Sequence, residues 1–158
     1  MPRVTDISVY RQTAQDTIEV RTRTNVQNLG ELAGVVYEKL FSYIAENKAV
    51  STDVPFITYH NTDMSDLDVG IGIPVSGELP ARGEITPRKM PEIDIVSCIF
   101  RGPYSDTAET YNEIHEWMAA NYYKPTGIVR EYYFNSPGSV PDDELLTKIV
   151  FPIKTWNL

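Results

Sequence analysis

The chain has 158 residues, a hydrophobic share of 42% and a formal net charge of -8. That length suffices for one domain that buries most of its apolar surface without disulfides or metals. The acidic balance argues against a nucleic-acid partner, because phosphate binding draws its affinity from clustered Lys and Arg, and the 14 basic residues are scattered. No apolar run has the length of a signal peptide or a transmembrane helix, so we expect a cytoplasmic protein without a membrane partner.

The first half of the chain predicts strands around one long helix. ISVYRQ (7–12) and TIEVRTRT (17–24) are rich in β-branched residues and are bounded by turn formers, which is typical of strands. NLGELAGVVYEKLFSYIAEN (28–47) has apolar residues at three- and four-residue spacing and predicts an amphipathic helix. FITYHN (56–61) and DVGIGIPV (68–75) then predict two further strands, so this half has the order β-α-β-β behind a leading strand.

The second half repeats this order. GEITPRKM (83–90) and IDIVSCIF (93–100) predict strands, and YSDTAETYNEIHEWMAAN (104–121) predicts the second amphipathic helix. REYYFN (130–135) and LLTKIVFPI (145–153) predict the closing strands.

Both predicted helices have a start signal. Asn28 with Glu31, and Asp106 with Glu109, have the spacing of a capping box, a short polar side chain followed three residues later by Glu. We therefore expect the helices to begin near these residues.

A shift of 74 residues superimposes the two helices and the strand that follows each of them. The same shift carries FITYHN onto REYYFN, whereas Pro74 meets Pro152 only if the second connecting loop is four residues longer. The matched helix pairs are Tyr37 with Tyr111, Leu40 with Ile114, Tyr43 with Trp117, Ile44 with Met118 and Asn47 with Asn121.

This internal duplication predicts a single domain over residues 1–158, with repeat units of about 1–77 and 78–158. Units of this size seldom bury enough surface alone. We therefore expect an α+β fold in which two pseudo-symmetric β-α-β-β units form one antiparallel sheet with both helices on one face. The cleft between the units is the natural place for a ligand.

Glu131 breaks the apolar pattern of its strand. Side chains alternate along a strand, so Glu131 shares a face with Val129 and Tyr133, and the shift of 74 residues places it where the first repeat has Ile57. A charge buried there without compensation would cost several kcal/mol. Two interpretations remain: a structural salt bridge or sheet-edge position, or a site where a carboxylate among aromatic rings recognises an organic cation.

The sequence resembles the GyrI-like small-molecule-binding domain, which is also the effector-binding module of multidrug-sensing activators of the MerR and AraC types. The likeness covers nearly the whole chain, and its most specific parts are Gly102-Pro103-Tyr104, the pair Glu131-Tyr132 and the closing Pro152. The resemblance implies a cleft for lipophilic, often cationic aromatic compounds, with Glu131 in the pocket and Tyr104 beside it. No DNA-reading segment precedes residue 1, so we expect a stand-alone protein.

The tyrosines supply further candidates for the ligand site. Tyr133 lies next to Glu131 on its face, Tyr59 is its equivalent in the first repeat, and Tyr37 and Tyr111 hold equivalent helix positions. Trp117 is the last candidate. The alternative for each is a core role, which is common for aromatic residues at helical spacing.

Metal and cofactor chemistry is not indicated. His60 and His115 have no partner at metal-ligand spacing, and the pair Gly70-x-Gly72 lacks the third glycine and the helix of a dinucleotide site. Cys98 lies in a strand-like apolar run and is expected to be a small buried residue. We expect no metal and no cofactor.

Three functions fit these observations. The first is a protein that binds or sequesters amphipathic, cationic or aromatic small molecules at Glu131. The second is a hydrolase of reactive electrophilic molecules, since a carboxylate in an apolar pocket can act as a general acid or base and some GyrI-like proteins are such hydrolases. The third is a modulator of a regulatory protein partner, as in the gyrase-protecting member of the family.

Overall fold

The computed structural model describes residues 3–154. These residues divide into two compact units. The continuous unit consists of Thr13–Glu92, and the split unit consists of residues 3–12 together with residues 93–154.

The secondary structure follows the predicted order. In chain order the elements are β1 (Ser8–Gln12), β2 (Gln15–Thr24), α1 (Val26–Glu46), β3 (Phe56–Tyr59), β4 (Leu67–Val75), β5 (Thr86–Met90), β6 (Ile93–Arg101), α2 (Ala108–Ala120), β7 (Lys124–Pro125), β8 (Val129–Tyr133) and β9 (Leu146–Lys154).

The continuous unit is an antiparallel sheet in the order β3-β4-β2-β5. α1 packs on β4 and β2 with an apolar side at three- and four-residue spacing, as expected for an amphipathic helix on a sheet. Ile57, Ile71 and Val20 lie opposite one another across β3, β4 and β2. The buried residues of α1 are Leu29, Ala33, Val36, Leu40, Tyr43 and Ile44.

The split unit is an antiparallel sheet in the order β1-β6-β9-β8, with β7 paired to the end of β9. Its helix α2 packs on β6 and β7. We call the buried apolar residues beneath this helix the α2 core: Val96, Cys98, Phe100, Ile114, Met118, Ile149, Phe151 and Ile153.

The compact units are not identical to the sequence repeats, because the repeats exchange their leading strands. β1 pairs with β6, and β5 pairs with β2. Each unit therefore contains one β-α-β-β repeat and one strand from the other repeat. Strand pairing is non-local, so repeat boundaries read along the chain do not reveal which sheet a leading strand joins. The α+β class and the repeated β-α-β-β order are confirmed.

The strand register confirms the internal duplication. Ile57 lies opposite Ile71, and Glu131 lies opposite Ile149. Ile71 and Ile149 are themselves equivalent by the shift that matches Pro74 with Pro152. The loops also match. Asn61 donates a side-chain hydrogen bond to the backbone of its own β3–β4 loop, and Asn135 does the same in the β8–β9 loop.

The predicted helix starts are each wrong by two residues, since α1 begins at Val26 and α2 begins at Ala108. α1 begins after Asn25, whose side chain accepts a hydrogen bond of 2.9 Å from the backbone N–H of Asn28. α2 begins after Thr107, and Tyr104–Asp106 form a short 3₁₀ helix ahead of it. Asn25 is the N-cap because its side chain satisfies one of the first free N–H groups of the helix.

Neither described helix combines the length and the apolar composition needed to cross a bilayer.

Candidate functional site

Glu131 lies within the split unit, on the side of the sheet that α2 covers. It is opposite Ile149, a member of the α2 core, and its residue is only 9% exposed. Directly opposite residues in an antiparallel pair project to the same face of the sheet. The strand thus places a carboxylate against an apolar core, as the repeat comparison predicted.

Two phenol hydroxyls hold this carboxylate. Tyr111, on α2, donates a short hydrogen bond to Oε2 of Glu131, and Tyr133 donates to Oε1 over 2.9 Å. Hydrogen bonds to an ionised carboxylate are stronger than those between neutral groups. These two bonds fix the position of the carboxylate.

Tyr104 is the third tyrosine next to this carboxylate. Its ring packs edge-to-face on the ring of Tyr133, with 5.6 Å between centroids and 63° between planes. Burial, together with the smaller effects of the negative charges of Glu131 and Asp142, raises the pKa of Tyr104 to about 12. The electrostatic influence of Glu131 reaches a tyrosine that is 40% exposed, so the site extends to the surface.

The Gly-Pro-Tyr turn has a structural reason for its glycine. Gly102 has φ of 139°, a conformation that L side chains rarely adopt, and its N–H donates a hydrogen bond of 2.8 Å to the carbonyl of Leu145. A Cβ at Gly102 would also lie 3.2 Å from the ring of Phe100. The turn thus joins the end of β6 to the β8–β9 loop and positions Tyr104 ahead of α2.

Four of the seven predicted site residues therefore come together: Glu131, Tyr104, Tyr111 and Tyr133. Tyr111 is additionally packed edge-to-face on Phe151 of the α2 core, at 5.7 Å between centroids. This packing fixes the ring that carries the hydroxyl. We call these four residues the Glu131 site.

The other three predicted residues have different described contacts. Tyr37 and Tyr59 belong to the continuous unit, where the Tyr37 hydroxyl donates a hydrogen bond of 2.7 Å to the carbonyl of Phe56. Trp117 stacks on Tyr123 at 5.7 Å and 6° and packs against the α2 core. Contact of these three residues with a ligand stays a prediction.

The sequence analysis missed a second buried carboxylate. Glu19, on β2 of the continuous unit, is 3% exposed, and its Oε1 accepts a hydrogen bond of 2.7 Å from Nη1 of Arg88. A Cβ on Gly70 would lie 3.0 Å from the other oxygen of Glu19. The glycines of DVGIGIPV were the available signal, since a glycine inside a strand often marks close approach by another group.

The remaining titratable residues do not build a metal site. Within residues 3–154 no three His, Cys, Asp or Glu side chains are grouped closely enough to hold a metal ion. Burial, followed by the charge of Arg21, lowers the pKa of His60. Cys98 is buried as predicted, and burial raises the pKa of its thiol to about 11.

Comparison with protein families supports a ligand-binding domain. The model of the GyrI-like small molecule binding domain matches residues 6–154. No curated protein matches the sequence significantly.

Solved structures share the fold at low sequence identity. The C-terminal domain of EcmrR has a TM-score of 0.74 and 20% identity, over 97% of this chain and 99% of that domain. In the EcmrR–DNA complex the score is 0.77 at 21% identity; the match covers 96% of this chain but only 58% of the EcmrR chain. A hydrolase from Listeria innocua has a score of 0.72 at 11% identity, over 98% of this chain and 94% of that chain.

A fourth structure contains a ligand. SAV2435 bound to tetraphenylphosphonium has a TM-score of 0.60 and 9% identity, over 95% of this chain and 94% of that chain. At these identities the comparisons show a common fold.

Proposed function

This chain belongs to the GyrI-like family of small-molecule-binding domains, and from that premise we propose that its ligands are lipophilic aromatic cations bound at the Glu131 site. The observation that carries the proposal is the geometry of Glu131. Its carboxylate is nearly buried, and two phenol hydroxyls orient it.

The Glu131 site is complementary to such a ligand in charge and in apolar surface. An aromatic cation brings both a positive charge for the carboxylate and apolar surface for the rings of Tyr104, Tyr111 and Tyr133. Attraction between a cation and an aromatic face adds roughly 0.5–2 kcal/mol, depending on how dry the contact is. Tyr104 is the exposed member of the site and is the natural first contact for a ligand arriving from solvent.

The structural neighbours support this choice of ligand class. SAV2435 shares the fold and binds tetraphenylphosphonium, a lipophilic aromatic cation. EcmrR, which shares the fold, occurs in a complex with DNA, and the present sequence covers 58% of the EcmrR chain. The fold is therefore compatible with cation binding, and the chemistry of Glu131 is the reason to expect it here.

The test is a calorimetric titration with tetraphenylphosphonium. Glu131→Gln keeps the shape of the side chain and removes its charge, so the affinity for the cation should fall at least about tenfold. Glu116→Gln is the matched control: it removes the same charge from an exposed position on α2 of the same unit and should leave the affinity unchanged.

Equal affinities of the wild type and Glu131→Gln would refute the proposal. An equal loss in both variants would show that only the overall negative charge of the surface attracts the cation. A folded wild-type protein that does not bind the probe, or other aromatic cations at high micromolar concentration, would refute it as well.

A second candidate function is hydrolysis of an electrophilic small molecule. A carboxylate that accepts a hydrogen bond from a phenol on each oxygen is a plausible group for proton transfer, and the hydrolase from Listeria innocua shares the fold. This function predicts turnover that Glu131→Gln abolishes while the substrate still binds. If a broad panel of electrophiles binds without being consumed, hydrolysis is excluded and cation binding is the function that remains.

A further inference from the structure

Glu131 is not the only polar residue that the second repeat places where the first has an apolar one. Thr147 lies opposite Tyr133 across β8 and β9, and Val69 lies opposite Tyr59 across β3 and β4. The two positions are equivalent in the duplicated fold. Threonine and valine have almost the same shape, so the difference is one hydroxyl.

The helices show the same exchange. Thr110 precedes Tyr111 on α2, and Val36 precedes Tyr37 on α1, in the register that relates the two helices. Thr110 is wholly buried, as Val36 nearly is. The split unit thus carries a hydroxyl on the helix and another on the strand, where the continuous unit has valines.

Both hydroxyls are buried without a partner. Thr110 and Thr147 are 0% exposed, and among residues 3–154 neither side-chain oxygen has a hydrogen-bond partner. An unsatisfied buried hydroxyl lowers stability, and valine avoids that penalty at no cost in shape. The first repeat shows that this fold accepts valine at both positions, so the packing alone does not explain the threonines.

One of the two hydroxyls lies on the same sheet face as Glu131, and the other lies on the helix that contacts Glu131. Thr147 and Glu131 project to the same face of the sheet. Thr147 lies opposite Tyr133, and Tyr133 shares a face with Glu131 because the two are two residues apart on β8. Thr110 is adjacent in sequence to Tyr111, which donates to the carboxylate. The second repeat therefore has three acceptor groups on α2 and on the sheet face that it covers: one carboxylate and two hydroxyl oxygens.

We propose that Thr110 and Thr147 determine the specificity of the Glu131 site, and that its preferred ligand is an aromatic compound with a primary ammonium group. A primary ammonium has three N–H donors, which match the carboxylate and the two hydroxyl oxygens. A fully substituted cation has no donor and leaves both hydroxyls unsatisfied. This inference rests on the proposed binding of aromatic cations and adds the chemistry of the cationic group.

The experiment compares two probes that differ only in these donors: 1-naphthylmethylammonium and its N-trimethyl derivative. The wild type should prefer the primary ammonium, and Thr110→Val and Thr147→Val should each reduce that preference about tenfold, as expected for one hydrogen bond to a charged group. Thr147→Ser retains the hydroxyl and should retain the preference. Affinity for the trimethyl probe should not change.

Thr17→Val is the matched control, because Thr17 is a buried threonine of the continuous unit whose hydroxyl already donates to the carbonyl of Arg88 over 3.0 Å. It should lower the melting temperature and leave the preference between the probes intact. Thr110→Val and Thr147→Val should not lower the melting temperature, since they remove hydroxyls without partners.

Two results would overturn the inference. If the wild type binds both probes and neither valine variant changes their ratio, the hydroxyls do not contact the ligand, although cation binding stands. If both variants lose stability as Thr17→Val does and weaken both probes equally, the hydroxyls are structural. A wild type that binds neither probe would refute the proposed function together with this inference.

Discussion

Each compact unit buries one glutamate, and the two are compensated in different ways. Glu19 of the continuous unit has the guanidinium of Arg88 at 2.7 Å, whereas Glu131 of the split unit is held by the hydroxyls of Tyr111 and Tyr133. An opposite charge neutralises a buried carboxylate and makes it part of the scaffold. The two phenols orient the Glu131 carboxylate, as the proposed cation site requires.

The sheets accommodate the two glutamates differently as well. Glu131 replaces the apolar residue Ile57 beneath a helix, so its site includes residues of α2. Glu19 lies opposite Gly72 on β4, and Gly70 leaves the space that its carboxylate occupies. The continuous unit therefore depends on glycines that the split unit does not need, because Val150 stands at the position equivalent to Gly72.

The largest predicted effect concerns that glycine. A Cβ on Gly72 would lie 2.5 Å from Cζ of Phe56 and 2.8 Å from the carbonyl oxygen of Ile18, so Gly72→Ala should destabilise the protein by about 3 kcal/mol through overpacking. Gly34→Ala is the control, because its Cβ would meet nothing within 4 Å and the substitution should stabilise the exposed helix by up to ~1 kcal/mol. Urea unfolding measures both, and equal stabilities would contradict the packing described.

Removing the partner of Glu19 should have the next largest effect. Arg88→Ala leaves the buried carboxylate without its cation and should cost on the order of 2 kcal/mol, less than for a fully buried pair because half of the Arg88 side chain is exposed. Lys89→Ala removes a neighbouring exposed charge and should be nearly neutral. Tetraphenylphosphonium affinity should survive in Arg88→Ala; its loss would mean that Glu19 also belongs to the ligand site.

The tyrosine hydroxyls allow a direct comparison of the two repeats. Tyr111→Phe removes a bond to a carboxylate and should cost about 2 kcal/mol in unfolding free energy, whereas Tyr37→Phe removes a bond to a backbone carbonyl and should cost about 1 kcal/mol. The same chemical denaturation measures both. A larger loss for Tyr37→Phe would show that Glu131 is not the stronger acceptor.

The smallest effect is a pH dependence at Tyr104. Its pKa is raised from 10.0 to about 12 in the folded protein, so the unfolded chain loses this proton first as the pH rises, and the stability contribution falls between about pH 10 and pH 12. A phenolate titration by ultraviolet absorbance, with Tyr104→Phe as reference, should show the late proton loss. Glu131→Gln should lower that pKa, since it removes one of its causes; an unchanged pKa would contradict the electrostatic contact between them.

Much of the fold was predictable because the duplication supplied a second copy of each element. The register that equates Glu131 with Ile57 follows from a fixed shift and survives in the strand pairing. Two features were not predictable. The exchange of leading strands depends on pairing between distant segments. Asn25 and Asn28 are equally suitable caps by residue type, so the sequence did not show that α1 begins after Asn25.

Glu19 shows why alternation alone misleads. In TIEVRTRT the polar residues alternate with apolar ones, which is typical of a strand with one solvated face. That face is buried at Thr17 and Glu19 and exposed only from Arg21 onward, so one strand changes its surroundings along its length. Glu131, by contrast, was found because the equivalent residue of the first repeat is apolar. Glu19 lies on β2, which the alignment of the two repeats did not include, so no such comparison was possible for it.

The central claim is that Glu131 serves binding in a place where the fold would accept an apolar residue. Glu131→Ile restores the residue of the first repeat, and the two tyrosines that donate to the carboxylate, Tyr111 and Tyr133, are only partly buried. We expect the unfolding free energy to stay equal or rise by about 1 kcal/mol, while tetraphenylphosphonium binding is lost. A clear drop in melting temperature with the cation affinity unchanged would contradict this account.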